Sequence, residues 1–107
     1  METIIVYCTV PDLETANSIA NHLVQNRLAA CCNIVPGITS VYRWQGKVET
    51  DSELLLLIKT RQDIFKDLEK AILELHPYEV PEIIAAPMAD GHENYLKWVD
   101  ENVRRTE

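Results

Sequence analysis

Residues 35–60, VPGITSVYRWQGKVETDSELLLLIKT, decide how this chain folds. Ile38 to Trp44 mixes β-branched and aromatic residues, and Lys47 to Ile58 continues extended. Gln45-Gly46 between them supplies the positive φ that a tight reversal needs. The stretch reads as one long β-hairpin, a ribbon too long for a small domain to cover alone. Its second arm ends in Leu54-Leu55-Leu56-Leu57-Ile58, unbroken apolar where a sheet with one wet face would alternate apolar and polar. Both faces of the sheet are therefore expected to be buried there. A short buried helix is the competing reading; the strand-length run and its β-branched surroundings favour the strand.

Upstream, Ile4 to Val10 is a strand stopped by Pro11-Asp12, with Asp12 placed to cap a helix. Leu13, Ala16, Ile19, Ala20, Leu23 and Val24 then recur at three- and four-residue spacing, and that helix ends near Asn26. Cys31 to Val35 is extended again and breaks at Pro36-Gly37, where proline denies the ladder a donor and glycine permits a bulge. Downstream, Ile64, Phe65, Leu68, Ala71, Ile72 and Leu75 mark a second amphipathic helix, closed by His76-Pro77. Ile83 to Ala86 is a short strand ended by Pro87, Asp90-Gly91 a turn, and Tyr95, Leu96, Trp98, Val99 and Val103 line a last helix.

The order is strand, helix, strand, strand, helix, strand, helix. This is the βαββαβ arrangement of an α+β, ferredoxin-like fold, with a long hairpin between its second and third strands and an extra C-terminal helix. Residues 1–107 are expected to form a single domain. Both main helices pack on one face of an antiparallel sheet, which leaves the other bare. Apolar residues on both faces, worth about 25 cal/mol per Å² buried, favour covering the bare face with other copies of the chain.

Composition narrows the classes of function. A net charge of -7 and a pI near 4.9 argue against nucleic acid or an anionic membrane as partner, and no apolar stretch is long enough to cross a bilayer. Met1-Glu2-Thr3 leads straight into Ile4-Ile5-Val6 without the marks of a secretory signal, so a cytoplasmic location is expected. Cys8, Cys31 and Cys32 leave an odd thiol in any disulfide scheme, and reduced thiols are the simpler account. No nucleophile–base pair, phosphate-cradling glycine loop or metalloprotease motif is present, so no enzymatic activity is expected.

RLAACCNIVPGITSVYRWQGKVETDSELLLLIKT at 27–60, CTVPD at 8–12, HPYEVPEII at 76–84 and YLKWV at 95–99 together resemble the CutA divalent-cation tolerance family, in order and over nearly the whole chain. The resemblance implies a small cytoplasmic protein, similar in shape to the PII signalling proteins, that forms a tight homotrimer through its sheets and long hairpins. It also implies a non-catalytic role in tolerance of divalent metal ions, copper especially, with copper binding among the bacterial members and no organic cofactor. Carried over by motif, the metal ligands fall on Cys8, in CTVPD, and on His76, before Pro77-Tyr78. The residue before that histidine, itself a histidine in a copper-binding enterobacterial relative, is Leu75 here, so one ligand of that set is missing.

The chemistry of the two residues suits the role, since thiolate favours Cu(I) and imidazole Cu(II) or zinc. Each also has a bland alternative: a thiol packs as a small hydrophobe, and a histidine at a helix C-terminus caps carbonyls. A second group is polar where burial is expected. Glu53 and Lys59 flank the apolar run on one side of the strand, about 20 Å apart, and are expected to meet partners only across subunits, as ion pairs that fix the trimer's register. In a second reading they line an inter-subunit crevice with Tyr78, Glu82 and Trp98. That crevice would take a small ligand, in a PII-like signalling module or scaffold. Tyr42 and Trp44, on one face at the hairpin tip, are expected to anchor an interface.

Overall fold

The computed structural model describes residues 2–106. Strand β1, Thr3–Val10, alternates half-buried and buried residues without a break, and its buried set is Ile4, Val6, Cys8 and Val10. Asp12 caps α1, Leu13–Gln25, by accepting the Thr15 N–H at 2.8 Å. The buried stripe of α1 is narrower than the apolar spacing suggests: Ala16, Ile19, Ala20 and Leu23 are buried, whereas Leu13 and Val24 at its margins are exposed. The helix ends in a Schellman motif, in which Arg27 N–H bonds to the Val24 carbonyl and Leu28 N–H to the Leu23 carbonyl. Arg27 takes a φ of 55° there, a left-handed conformation usually left to glycine. Tertiary contacts hold it: its guanidinium donates to the Glu101 carbonyl, and its own carbonyl accepts the Arg104 N–H.

Strands β2, Cys31–Trp44, and β3, Lys47–Arg61, form the long hairpin. Gln45 and Gly46 turn it with φ of 49° and 80°, both positive as a two-residue type I′ turn requires. Val35 faces Leu55 and Ile38 faces Glu53, so β2 carries one extra residue at Pro36-Gly37 and bulges without breaking. β3 runs three residues past the apolar run, to Arg61. Strand β4, Ile83–Pro87, pairs antiparallel with β1 and completes the order β2-β3-β1-β4. Pro87 lies inside this edge strand, opposite Ile4, where its missing N–H costs no ladder bond.

A short 3₁₀ turn, Gln62–Ile64, leads into α2, Phe65–Leu75. The inner residues of α1 and α2 form one cluster with Ile4, Val6, Cys8, Leu56 and Ile58, so both helices cover the same face of the sheet. Helix α3, Glu93–Asn102, packs against β3 and β1 and adds Val99 and Val103 to that cluster. Gly91 serves α3 differently from the turn the sequence suggests. A side chain there would meet Leu96 at 3.0 Å, so glycine permits close packing before the helix.

The register places Ile5, Tyr7, Leu55, Leu57 and Ile84 on the opposite face, which neither α1 nor α2 covers. Ile84 is 55% exposed there, and the first four are only half-buried.

At the end of β3 sits a buried cation. Arg61 has no exposed surface. Its Nε and Nη2 grip the Asp63 carboxylate at 2.8 and 3.2 Å, Nη1 donates to the Asp100 and Val103 carbonyls, and Nη2 also donates to the Arg104 carbonyl. Every N–H of the guanidinium is used, and the last turn of α3 is pinned to the sheet.

Candidate functional site

At the root of the hairpin, polar groups from distant parts of the chain meet on the face of the sheet opposite α1 and α2. By register Glu53 lies opposite Ile38, Asp51 opposite Ser40 and Glu49 opposite Tyr42, which aligns Tyr42 and Trp44 with Glu53 on one face of the ribbon. The segment after α2, which carries Pro77 and Pro81, meets the end of β1 through His76 and Thr9 and brings Tyr78 to the same place. Tyr78 donates its hydroxyl to Glu53 Oε2 at 2.7 Å, and Glu53 is only 6% exposed. Tyr42 donates to Asp51. These pieces enclose a groove of about 790 Å³ whose lining includes Tyr42, Trp44, Glu53, Tyr78, Glu79 and Glu82.

Carboxylates outnumber cations in this corner, with Glu53, Glu79 and Glu82 against Arg43. Burial, then the hydrogen bond to Glu53, pushes the Tyr78 hydroxyl above its ordinary range. The hydrogen bond to Asp51 pushes Tyr42 up to about 12, with help from Glu49 and Glu53. Both phenols stay protonated as donors.

His76 supports this arrangement. Its Nε2 lies 2.8 Å from the Thr9 carbonyl and its Nδ1 accepts the Tyr78 N–H at 3.1 Å, which defines a neutral ring protonated on Nε2. The ring also packs on Tyr78, centroids 4.7 Å apart. Cys8 lies in the core with no exposed surface, and its thiol is pushed up to about 12, chiefly by burial and then by Glu82, Cys32 and Glu53. As held here, both ring nitrogens of His76 are engaged and the Cys8 thiol is sealed in the core, so the pair does not fit a resident ion. Among the described residues, no three His, Cys, Asp or Glu side chains converge as metal ligands.

Of the residues expected to line an inter-subunit crevice, Glu53, Tyr78 and Glu82 line one groove within a single chain, while Lys59 and Trp98 lie elsewhere; Tyr42 and Trp44, expected as interface anchors, line the same groove. Lys59 bonds to Asn33 Oδ1 across the β2–β3 ladder, and Trp98 stacks with Tyr95 on α3 at 5.6 Å. Glu53 and Lys59 thus both find partners within one chain, which corrects the expectation that they meet other groups only across subunits. Cys31 and Cys32 face opposite sides of β2, Cys32 against the core, and neither is in a disulfide.

The model of the CutA1 divalent ion tolerance protein family matches residues 4–102. The chain belongs to this family. Among CutA relatives, the divalent-cation tolerance protein CutA of Thermus thermophilus is 56% identical over 92% of this chain and 95% of that protein. The chloroplastic CutA of Arabidopsis thaliana is 51% identical over 95% of this chain, which spans 56% of that protein's length. CutA1 from Oryza sativa superposes with a TM-score of 0.96 at 45% identity, over 99% of this chain and 97% of that one. For the Thermus thermophilus structure the TM-score is 0.93 at 54% identity, over 95% and 99%.

Two residues that shape this CutA1 fold escape sequence reading. Asp51 holds Tyr42, and only the register of the hairpin brings the two together. Arg61 looks like one more charge after an apolar strand. Asp63, two residues on, is the only local sign of its burial, and its other partners lie 39 or more residues away.

Proposed function

We propose that this chain is a divalent-cation response protein that works as a non-catalytic homotrimer. Family membership supports the cation role, in the sense in which the relative from Thermus thermophilus is named for divalent-cation tolerance. The trimer is carried by one observation: Ile5, Tyr7, Leu55, Leu57 and Ile84 form an apolar surface on the sheet face that neither α1 nor α2 covers. The hairpin, which stretches the molecule to 44 Å, supplies further apolar surface at Val41, Tyr42, Trp44 and Val48. Light scattering is expected to return three times the 12.2 kDa chain mass; a single-chain mass at micromolar concentration would refute the trimer.

Copper on Cys8 and His76 is proposed in a restricted form. The ion can take the pair only in molecules whose turn from His76 to Tyr78 has opened, so occupancy should be weak and follow the population of that opened state. Calorimetric titration with Cu(II) of the wild type, Cys8→Ala and His76→Ala is expected to show lower affinity in both variants. Equal binding by all three would remove these residues from the site.

A second reading, a PII-like module that binds a small ligand in the crevice, is favoured by buried Glu53, held by the exposed Tyr78 hydroxyl beside an open groove.

A further inference from the structure

We propose that the groove beside Glu53 binds a small organic cation, an ammonium or guanidinium group on an apolar body, with the Glu53 carboxylate as counter-ion and Tyr42 and Trp44 as walls. This inference rests on the crevice reading and names the ligand class for it.

The starting point is an uncompensated charge. Glu53 is nearly sealed from solvent, yet its one side-chain partner is a neutral hydroxyl, and no salt bridge reaches it among the described residues. A carboxylate so placed is costly unless a cation sits beside it. Glu79 and Glu82 add two more carboxylates to the same lining. Arg43 lines the groove too, but its register opposite Val48 places it on the other face of the ribbon from Glu53.

The walls decide what kind of cation fits. A hard divalent ion wants six or more oxygen ligands at short range, and no such convergent set exists among the described residues. Half-exposed Tyr42 and Trp44 instead present aromatic surface beside the carboxylate, which suits a weakly hydrated organic cation through cation–π attraction and apolar contact. A volume of about 790 Å³ lies within the range of small-molecule sites.

The test is calorimetry on the full-length protein in its native oligomeric state, with three probes of one shape: 2-phenylethylammonium, neutral 2-phenylethanol and anionic 3-phenylpropionate. The ammonium is expected to bind about tenfold more tightly than the alcohol, with the anion weakest, and added salt should narrow the gap. Glu53→Gln should erase the preference. If that variant does not fold, Trp44→Ala, removing one aromatic wall, should weaken ammonium binding severalfold and alcohol binding less. Equal affinity for ammonium and alcohol would overturn the cation inference and leave the crevice reading standing. No binding by any probe up to about 10 mM would overturn both.

Discussion

Arg61→Ala is expected to lower the stability of this protein by about 3–5 kcal/mol, the range measured when one partner of a buried ion pair is removed. The truncation strips the Asp63 carboxylate of its cation and leaves the Asp100, Val103 and Arg104 carbonyls without their shared donor. The last turn of α3 then has nothing polar to hold it against β3. For a domain of about a hundred residues a loss of that size lowers the melting temperature by on the order of 15 °C or more. Thermal and urea unfolding at fixed protein concentration checks it, since an oligomer's stability depends on concentration. Arg61→Lys keeps the charge but not the planar fork, and should fall between the two. A change below about 1 kcal/mol in the alanine variant would show that the guanidinium does not pin the helix.

The same pair sets a pH dependence. The hydrogen bond and charge of Arg61 hold the Asp63 carboxyl below its ordinary range, so its folded value lies under its unfolded one. Its stabilising contribution is complete above the ordinary carboxylate pKa of about 3.9 and is lost as pH falls through the lower folded value. In Arg61→Ala this part of the acid destabilisation should disappear.

Leu57→Glu is expected to break the proposed trimer into single chains, with a light-scattering mass near 12.2 kDa. Leu57 lies at the middle of the bare face, between Tyr7 and Asn33 in register. In the single chain this side is open enough for a carboxylate to stay hydrated, so the fold itself should survive. In a trimer built on that face each copy would bury an unpaired charge, at several kcal/mol apiece. Val24→Glu, on the exposed margin of α1, is the control and should leave the mass unchanged. A trimer that tolerates Leu57→Glu would mean that its subunits meet through another surface.

What could be read from sequence was what is local. The hairpin announces itself in Gln45-Gly46 and in the extended residues on either side, because turn chemistry and strand preference act over a few positions. The apolar run likewise shows that β3 carries apolar side chains on both faces, because alternation along a strand is a local pattern. The site depended on contacts between distant positions. Tyr78 meets Glu53 across 25 residues and His76 meets Thr9 across 67, and no periodicity encodes either. Glu53 and Lys59 looked short of partners because Tyr78 and Asn33 reach them only once the chain has folded back. Arg27 in a left-handed cap breaks the glycine rule, and the compensation comes from α3 at the far end of the chain.

The single extra residue at Pro36-Gly37 works as a phase shifter between the two ends of β2. The turn at Gln45-Gly46 keeps Tyr42 and Trp44 on the side of Glu53. Count on from that turn without the extra residue and Cys32 and Ile34, which pack against the core, would swing away from it while Asn33 turned in. An offset of one therefore lets the same strand serve the groove at its outer end and the core at its inner end.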